Sequence, residues 1–168
     1  MTRSLVAILA AALLLAGCGS AQVLLSKPAK VPAGTDFSGN WVLTGSSGTG
    51  QREARELLVY VFLETGKSLK ITQTDSGLFL SFDRSVVEEF RFGENDSISV
   101  GAISATRVSG WEGTAYVVET LDEQGAKLID AYQLKNDNRQ FQRTIEIWKK
   151  NEKILALVQE FSQVSSGK

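Results

Sequence analysis

Phe141-Gln142-Arg143-Thr144-Ile145-Glu146-Ile147 alternates without a slip: Phe141, Ile145 and Ile147 fall on one side with Arg143, and Gln142, Thr144 and Glu146 on the other. A repeat of two is the mark of a strand with one face buried. The same reading extends outward along the chain. Leu69 and Ile71 alternate with Lys70 and Thr72, and Leu78, Leu80 and Phe82 with Phe79 and Ser81. Val86, Phe90 and Phe92 share a face opposite Glu89 and Arg91, and Ile98, Val100 and Ala102 alternate with Ser97, Ser99 and Gly101. Between these runs lie turn-forming clusters: Asp75-Ser76-Gly77, Gly93-Glu94-Asn95-Asp96, Ser109-Gly110-Trp111-Glu112-Gly113, Asp122-Glu123-Gln124-Gly125, Asn136-Asp137-Asn138 and Lys149-Lys150-Asn151-Glu152. Short turns make sequential neighbours antiparallel. The pattern predicts a mostly β fold, an antiparallel meander of about eight or nine strands that closes into a barrel or stacks into a sandwich.

One segment departs from the repeat of two. In residues 51–64, Ala54, Leu57, Leu58, Val61 and Phe62 follow a helical spacing, with charged residues elsewhere, which predicts one helix between the first and second strands. A strand reading competes, because Val59-Tyr60-Val61-Phe62 is rich in strand-forming residues. Residues 45–50, GSSGTG, read as a flexible approach to that helix, and Gly66 as its stop.

Composition removes whole classes of function. The chain has 168 residues, 18 basic and 19 acidic, and no histidine. A net charge of −1 argues against a generally basic nucleic-acid binder. Without histidine there is no His-based triad and no imidazole metal site. A single cysteine, Cys18, forbids an intramolecular disulfide or a cysteine zinc cluster.

The start of the chain has its own grammar. Arg3 is followed by an unbroken apolar run, residues 5–16, then by Gly17-Cys18-Gly19-Ser20. A positive start, a short apolar core and small residues describe a secretory signal peptide over residues 1–17, and the core is too short to span a membrane as a helix. Leu15-Ala16-Gly17-Cys18 resembles the lipobox of bacterial lipoproteins. That resemblance implies cleavage before Cys18, a diacylglycerol on its sulfur and acylation of the new amine (the palmitate-bearing end of a lipid anchor). Gly19, where enterobacterial lipoproteins retained at the inner membrane have Asp, implies the outer membrane, facing the periplasm. Residues 18–35 hold both prolines, Pro28 and Pro32, and read as an extended, mobile tether. Lys27 and Lys30 would lie near lipid headgroups or in solvent. The folded domain is expected over residues 36–168.

Gly39-Asn40-Trp41 resembles the Gly-x-Trp entry of lipocalin-like barrels, which implies a Trp plugging the closed end under the first strand. Taken with Leu69-Lys70-Ile71-Thr72-Gln73, Phe90-Arg91-Phe92-Gly93, the segment 110–119 and Tyr132-Gln133-Leu134, the domain is similar to small β-rich proteobacterial envelope proteins. That similarity implies a fold and an address, not a catalytic site.

Chemistry is sparse. Ser68 lies between Lys67 and Lys70 on a plain strand. Glu88 and Glu89 are adjacent, so a strand sends them to opposite faces, and Asp122-Glu123 sit in a turn. Glu119 and Asp130 are acids inside apolar strand runs: Glu119 shares a face with Val117 and Leu121, and Asp130 with Leu128, Tyr132 and Leu134. They line a polar cavity or a solvated patch. Arg143 either offsets one of those acids or projects at a barrel mouth. Asn136-Asp137-Asn138 lacks the glycine and final glutamate of a calcium loop. Trp111, between glycines, reads as a loop residue exposed as a contact or packed in the core. No catalytic residue, metal ligand or cofactor follows from these patterns. The expectation is a non-enzymatic, membrane-anchored lipoprotein that binds an apolar ligand in its barrel, with Trp111, Tyr132 and Arg143 as contacts. The alternative is a module that binds envelope proteins or peptidoglycan.

Overall fold

A computed structural model describes residues 22–164. The proposed signal peptide, Leu15, Ala16, Gly17 and the lipidation site Cys18 lie outside the described residues. Ten strands form one antiparallel sheet. They are β1 (Gly39–Thr49), β2 (Ser68–Gln73), β3 (Gly77–Phe82), β4 (Val86–Arg91), β5 (Asn95–Val100), β6 (Ile103–Glu112), β7 (Ala115–Asp122), β8 (Ala126–Lys135), β9 (Gln140–Lys149) and β10 (Glu152–Gln163). Every strand pairs with its sequence neighbour except across β4 and β5, and β1 pairs with β10. The sheet therefore curls round until its two edges, β4 and β5, face each other across a seam.

The seam is fastened at one end, here called the lower end. Gly93 N–H donates to Ser109 O at 2.9 Å, and Ser109 N–H to Glu94 O at 3.1 Å, so the β4–β5 turn pairs with β6. Ser109 Oγ donates to Arg91 O at 2.7 Å. Halfway up, Arg107 Nη2 reaches across to Glu89 O at 3.2 Å. Above that point the described residues record no hydrogen bond between the two edges.

The repeat of two places the core. Tyr116 and Val118 on β7, Leu128 and Tyr132 on β8, Phe141, Ile145 and Ile147 on β9 and Leu155, Leu157 and Phe161 on β10 all face inward and are buried. Phe37 closes the lower end, and its carbonyl accepts from Trp41 Nε1 at 3.0 Å. Trp41 is the plug that the Gly-x-Trp resemblance implies, packed edge-on to Phe141 with ring centroids 4.9 Å apart.

Four local expectations are corrected. Residues 45–49 are not a flexible approach but the second half of β1, which continues past a bulge between Leu43 and Gly45. Gly48 permits this, since a Cβ there would lie 2.2 Å from the Ala156 carbonyl oxygen on β10. One short helix does lie between β1 and β2, but it is the four-residue α1 (Gln51–Ala54) and does not run through residues 51–64: an extended Leu57 separates it from a 3-10 turn (Leu58–Phe62). One turn of helix gains little from propensity, so tertiary contacts decide. The deciding contact is Asp122 Oδ2, which accepts from Val59 N–H at 2.8 Å and ties the turn down as a lid over the upper end. Third, the Ser109–Gly113 turn is strand as far as Glu112.

The fourth correction concerns the tether. Part of it is docked rather than free. Pro28 O accepts from Trp111 N–H at 2.9 Å, Asn95 Nδ2 donates to Ser26 Oγ at 3.1 Å, and Val31 packs against the lower core. Lys27 does not point to lipid headgroups. Its side chain is 6% exposed, held by Glu112 and, at 3.5 Å, by Glu119.

Candidate functional site

The barrel interior has three storeys. The lowest is aromatic: Phe37, Trp41, Phe92, Trp111, Tyr116 and Phe141 stack and tilt against one another at centroid separations of 4.9–6.3 Å. Trp111 therefore sits in β6 at 3% exposure, inside this cluster, and not in an exposed loop. Its Nε1 and the Tyr116 hydroxyl are buried with no hydrogen-bond partner among the described residues. Burial also pushes the Tyr116 phenol above its ordinary pKa.

The middle storey is a polar bolt through an apolar barrel. Arg143 lies opposite Tyr132 in the β8–β9 register and diagonal to Asp130. Its Nε and Nη2 donate to the two Asp130 oxygens at 2.8 and 2.7 Å, a fork-to-carboxylate pair. The Tyr132 hydroxyl donates to Asp130 Oδ2 at 2.7 Å. Arg143 also donates to Glu64 O at 2.8 Å and to Gln159 Oε1 at 3.4 Å, and its guanidinium lies 5.0 Å from the centre of the Phe82 ring. Burial works against the charge on Arg143. Asp130 and Tyr132 outweigh it and hold the guanidinium above its ordinary pKa. Burial, the larger cause, lifts the Tyr132 phenol well above its usual range, so it stays a neutral donor. Of the two acids singled out in the sequence, Asp130 faces inward into this bolt. Glu119 faces outward, with Lys27 at 3.5 Å and Lys127 at 3.7 Å.

The upper storey is aliphatic: Leu128, Ile145, Ile147, Leu155 and Leu157 lie beneath Ala54 and Val59 of the lid. Through all three storeys the space is taken by side chains. Phe37, Leu80, Tyr116, Tyr132, Ile145 and Phe161 are each at 0% exposure, so no water-sized space adjoins them.

Clefts open on the surface instead, and one of them lies at the seam. Above Arg107, between the lid and the two sheet edges, a cleft of about 400 Å³ is lined by Val61, Phe62, Glu64, Glu88, Ile98, Ser99, Val100 and Arg107. Val61 and Val100 are 39% and 48% exposed at its rim. Glu88 faces in because it pairs with Leu80 across β3 and β4, while Glu89 faces out and meets Arg91 at 3.2 Å. Loss of water around Glu88 raises its pKa above the ordinary value, with Arg107 acting the other way. Arg107 is otherwise committed. Its Nε and Nη2 donate to Glu94 Oε1 at 3.1 and 2.7 Å, and its guanidinium covers the Phe90 ring at 5.0 Å.

Tyr132 and Arg143 meet in the bolt, and Trp111 lies in the storey below. The cleft residues Glu64, Glu88, Ile98 and Arg107 were not singled out together as a site from sequence. Arg107 stands in the same alternation as Ala105, Ser109 and Trp111, and extending the repeat of two through Gly110 finds it. The other elements in which chemistry was sought are structural. Asn136, Asp137 and Asn138 form a hairpin turn with positive φ, where Asn138 Nδ2 donates to Gly34 O at 3.2 Å. Asp122 Oδ1 accepts from the backbone of Gln124 and Ala126, each at 2.9 Å.

This is the fold of the fatty-acid-binding-protein-like barrels. A fatty acid binding protein of Schistosoma mansoni, solved with arachidonic acid, superposes with a TM-score of 0.54 at 10% identity, covering 77% of this chain and 96% of that one. A secretory abundant heat soluble protein of Ramazzottius varieornatus gives 0.54 at 11% identity, over 76% of this chain and 94% of that one. A luciferase domain of the dinoflagellate Lingulodinium polyedrum gives 0.53 at 13% identity, over 83% of this chain and 45% of that one. No protein-family model and no curated protein matches the sequence. Identities this low establish a shared architecture only, and that architecture houses binding proteins and an enzyme domain alike.

Proposed function

We propose that the chain is a non-enzymatic binding protein of the bacterial envelope, held at the outer membrane by lipid on Cys18 and taking an apolar ligand at the seam of its barrel. The observation that carries the binding reading is the cleft of about 400 Å³ with Val61, Phe62, Ile98 and Val100 in its wall. Its size falls within the range of small-molecule sites, roughly 300–1,000 Å³, and four of its eight lining residues are apolar. The Schistosoma mansoni neighbour, which binds a fatty acid in the same architecture, supports the apolar class. The position differs from a fully interior site, because the interior here is filled. Anchoring rests on the Leu15-Ala16-Gly17-Cys18 tetrad and the apolar run before it.

Native mass spectrometry tests the binding reading. A chain of residues 21–168, produced in the periplasm without its lipid site, is expected to carry the added mass of a co-purified lipid or other apolar molecule. A bare protein mass, together with failure to take up added apolar probes, counts against it and turns attention to crosslinking for an envelope partner. For the anchor, the expected result is recovery of the chain in the membrane fraction and release to the soluble fraction by Cys18→Ser. Soluble recovery of both forms sinks it.

A further inference from the structure

The geometry points to a cationic amphiphile, an apolar body ending in an amine or quaternary ammonium, as the ligand of the seam cleft. This rests on the binding reading above and names the polar end of the ligand. Three observations carry it. First, Arg143 is fully engaged within the protein, and Arg107 keeps only its Nη1 edge, beside Glu88, toward the cleft. Arg143 is locked to both oxygens of Asp130, and its side chain is 1% exposed. Arg107 gives two hydrogen bonds to Glu94, which is itself buried, and a third to the Glu89 carbonyl. A carboxylate-ended ligand would have to displace Asp130 to reach Arg143, and at Arg107 it would meet only Nη1, beside the Glu88 carboxylate at 4.0 Å.

Second, the acids of the cleft are in surplus. Among the described residues the Glu64 carboxylate makes no ion pair, and the single ion-pair contact of Glu88 is Arg107 Nη1 at 4.0 Å, beyond hydrogen-bonding reach. Glu64 and Glu88 thus line the cleft beside Arg107, whose charge is already held at 2.7 Å by Glu94. The charge of Glu64 acts on Glu88, so the two lie within electrostatic reach of each other. The surplus continues through the seam to its outer side, where Glu89, Glu94 and Asp96 line the neighbouring groove with Arg91 and Arg107.

Third, half of the cleft lining is apolar. Val61 and Phe62 come from the lid, and Ile98 and Val100 from β5. An alkyl or aryl body lies against these side chains while its cation faces Glu64 and Glu88. A half-buried cleft with low-dielectric walls strengthens this attraction relative to open water.

Calorimetric titration tests it with three probes of one chain length: dodecylamine, dodecanol and dodecanoate, each below its micelle concentration. The protein is the chain from Cys18 to Lys168 with Cys18→Ser, which keeps every described residue. Dodecylamine is expected to bind about tenfold tighter than dodecanol, corresponding to about 1.4 kcal/mol, with dodecanoate weakest. Glu88→Gln and Glu64→Gln are each expected to bring the amine-to-alcohol affinity ratio down from about tenfold toward one. A circular dichroism spectrum and melting curve matching the parent report that each variant is folded. Dodecanoate binding as tightly as dodecylamine overturns the charge assignment and leaves the apolar-ligand reading standing. Absence of binding by all three overturns both.

Discussion

At the scale of single residues, the Arg143–Asp130 pair is where most free energy is at stake. Arg143 satisfies its donors with Asp130, the Glu64 carbonyl and Gln159, and Asp130 takes a further hydrogen bond from Tyr132. Two charges this deep cost several kcal/mol each to desolvate, and the pair returns most of that only while it is intact. Asp130→Ala leaves a guanidinium buried and unpaired, and is expected to destabilise the domain by about 3–5 kcal/mol. The double change Asp130→Leu with Arg143→Met removes both charges and keeps the volume apolar. It is expected to recover part of that loss, because the Phe82 ring accepts apolar neighbours while the buried Tyr132 hydroxyl, left without its acceptor, still costs about 1–3 kcal/mol. Equilibrium denaturation in urea of the three proteins checks this. If the double variant is as unstable as the single one, the bolt is held by its geometry with Glu64 and Gln159 rather than by charge balance.

At the scale of elements, the docked strap is the feature least like a free tether. Gly110 on β6 shows why it lies where it does: a Cβ there would meet the Pro28 carbonyl oxygen at 2.5 Å and the Lys27 Cβ at 2.8 Å. Backbone lies against backbone with no room for a methyl group, and Trp111 N–H closes the contact with its hydrogen bond to Pro28. Gly110→Ala is therefore expected to lift the strap while leaving the barrel folded. Limited proteolysis should then cut in residues 22–30 much faster than in the parent, with the barrel fragment surviving. Equal cleavage rates would mean that the ion pairs of Lys27 alone hold the strap. Nothing in the order Lys27-Pro28 announces a partner some eighty positions away, and a Gly in a turn-like cluster reads as a turn. The long alternating strands were legible because burial of one face imposes a repeat of two on every residue, as β9 shows from Phe141 to Ile147. Residues 45–49 and 51–64 were misread because their local preferences are weak and distant contacts, Ala156 beside Gly48 and Asp122 beneath Val59, decide their shape. The polar bolt was legible for the first of these reasons, and the cleft was not for the second. Asp130, Tyr132 and Arg143 share one face of neighbouring strands, whereas the cleft is assembled from the lid, β4, β5 and β6, which only the curl of the sheet brings together.

At the scale of the whole molecule, the seam divides a well-fastened wall from a loosely fastened one. β8, β9 and β10 each pair along most of their length on both sides, whereas β4 and β5 have one hydrogen-bonded neighbour each and are six residues long. Across the seam the fastenings are the lower-end turn and the Arg107 bridge. Opening β4 and β5 uncovers Phe90 and its neighbour Phe92 but leaves Phe37, Phe141 and Phe161 packed on the far wall and the lower plug, so it costs less than global unfolding. Amide protection follows the free energy of the smallest opening that frees each group. Hydrogen exchange is therefore expected to be slowest in β8–β10, near the global limit, and fastest among the strands in β4 and β5. Arg107→Met removes the bridge and leaves Glu94 buried without its guanidinium. It is expected to speed exchange in β4 and β5 while changing β8–β10 only by the loss of global stability. Uniform protection across all ten strands would mean that the seam opens only when the whole barrel does, and the cleft could then admit a ligand no wider than its static mouth. If the edges open by themselves, the same weakness that leaves the cleft unroofed also gives a ligand its way in.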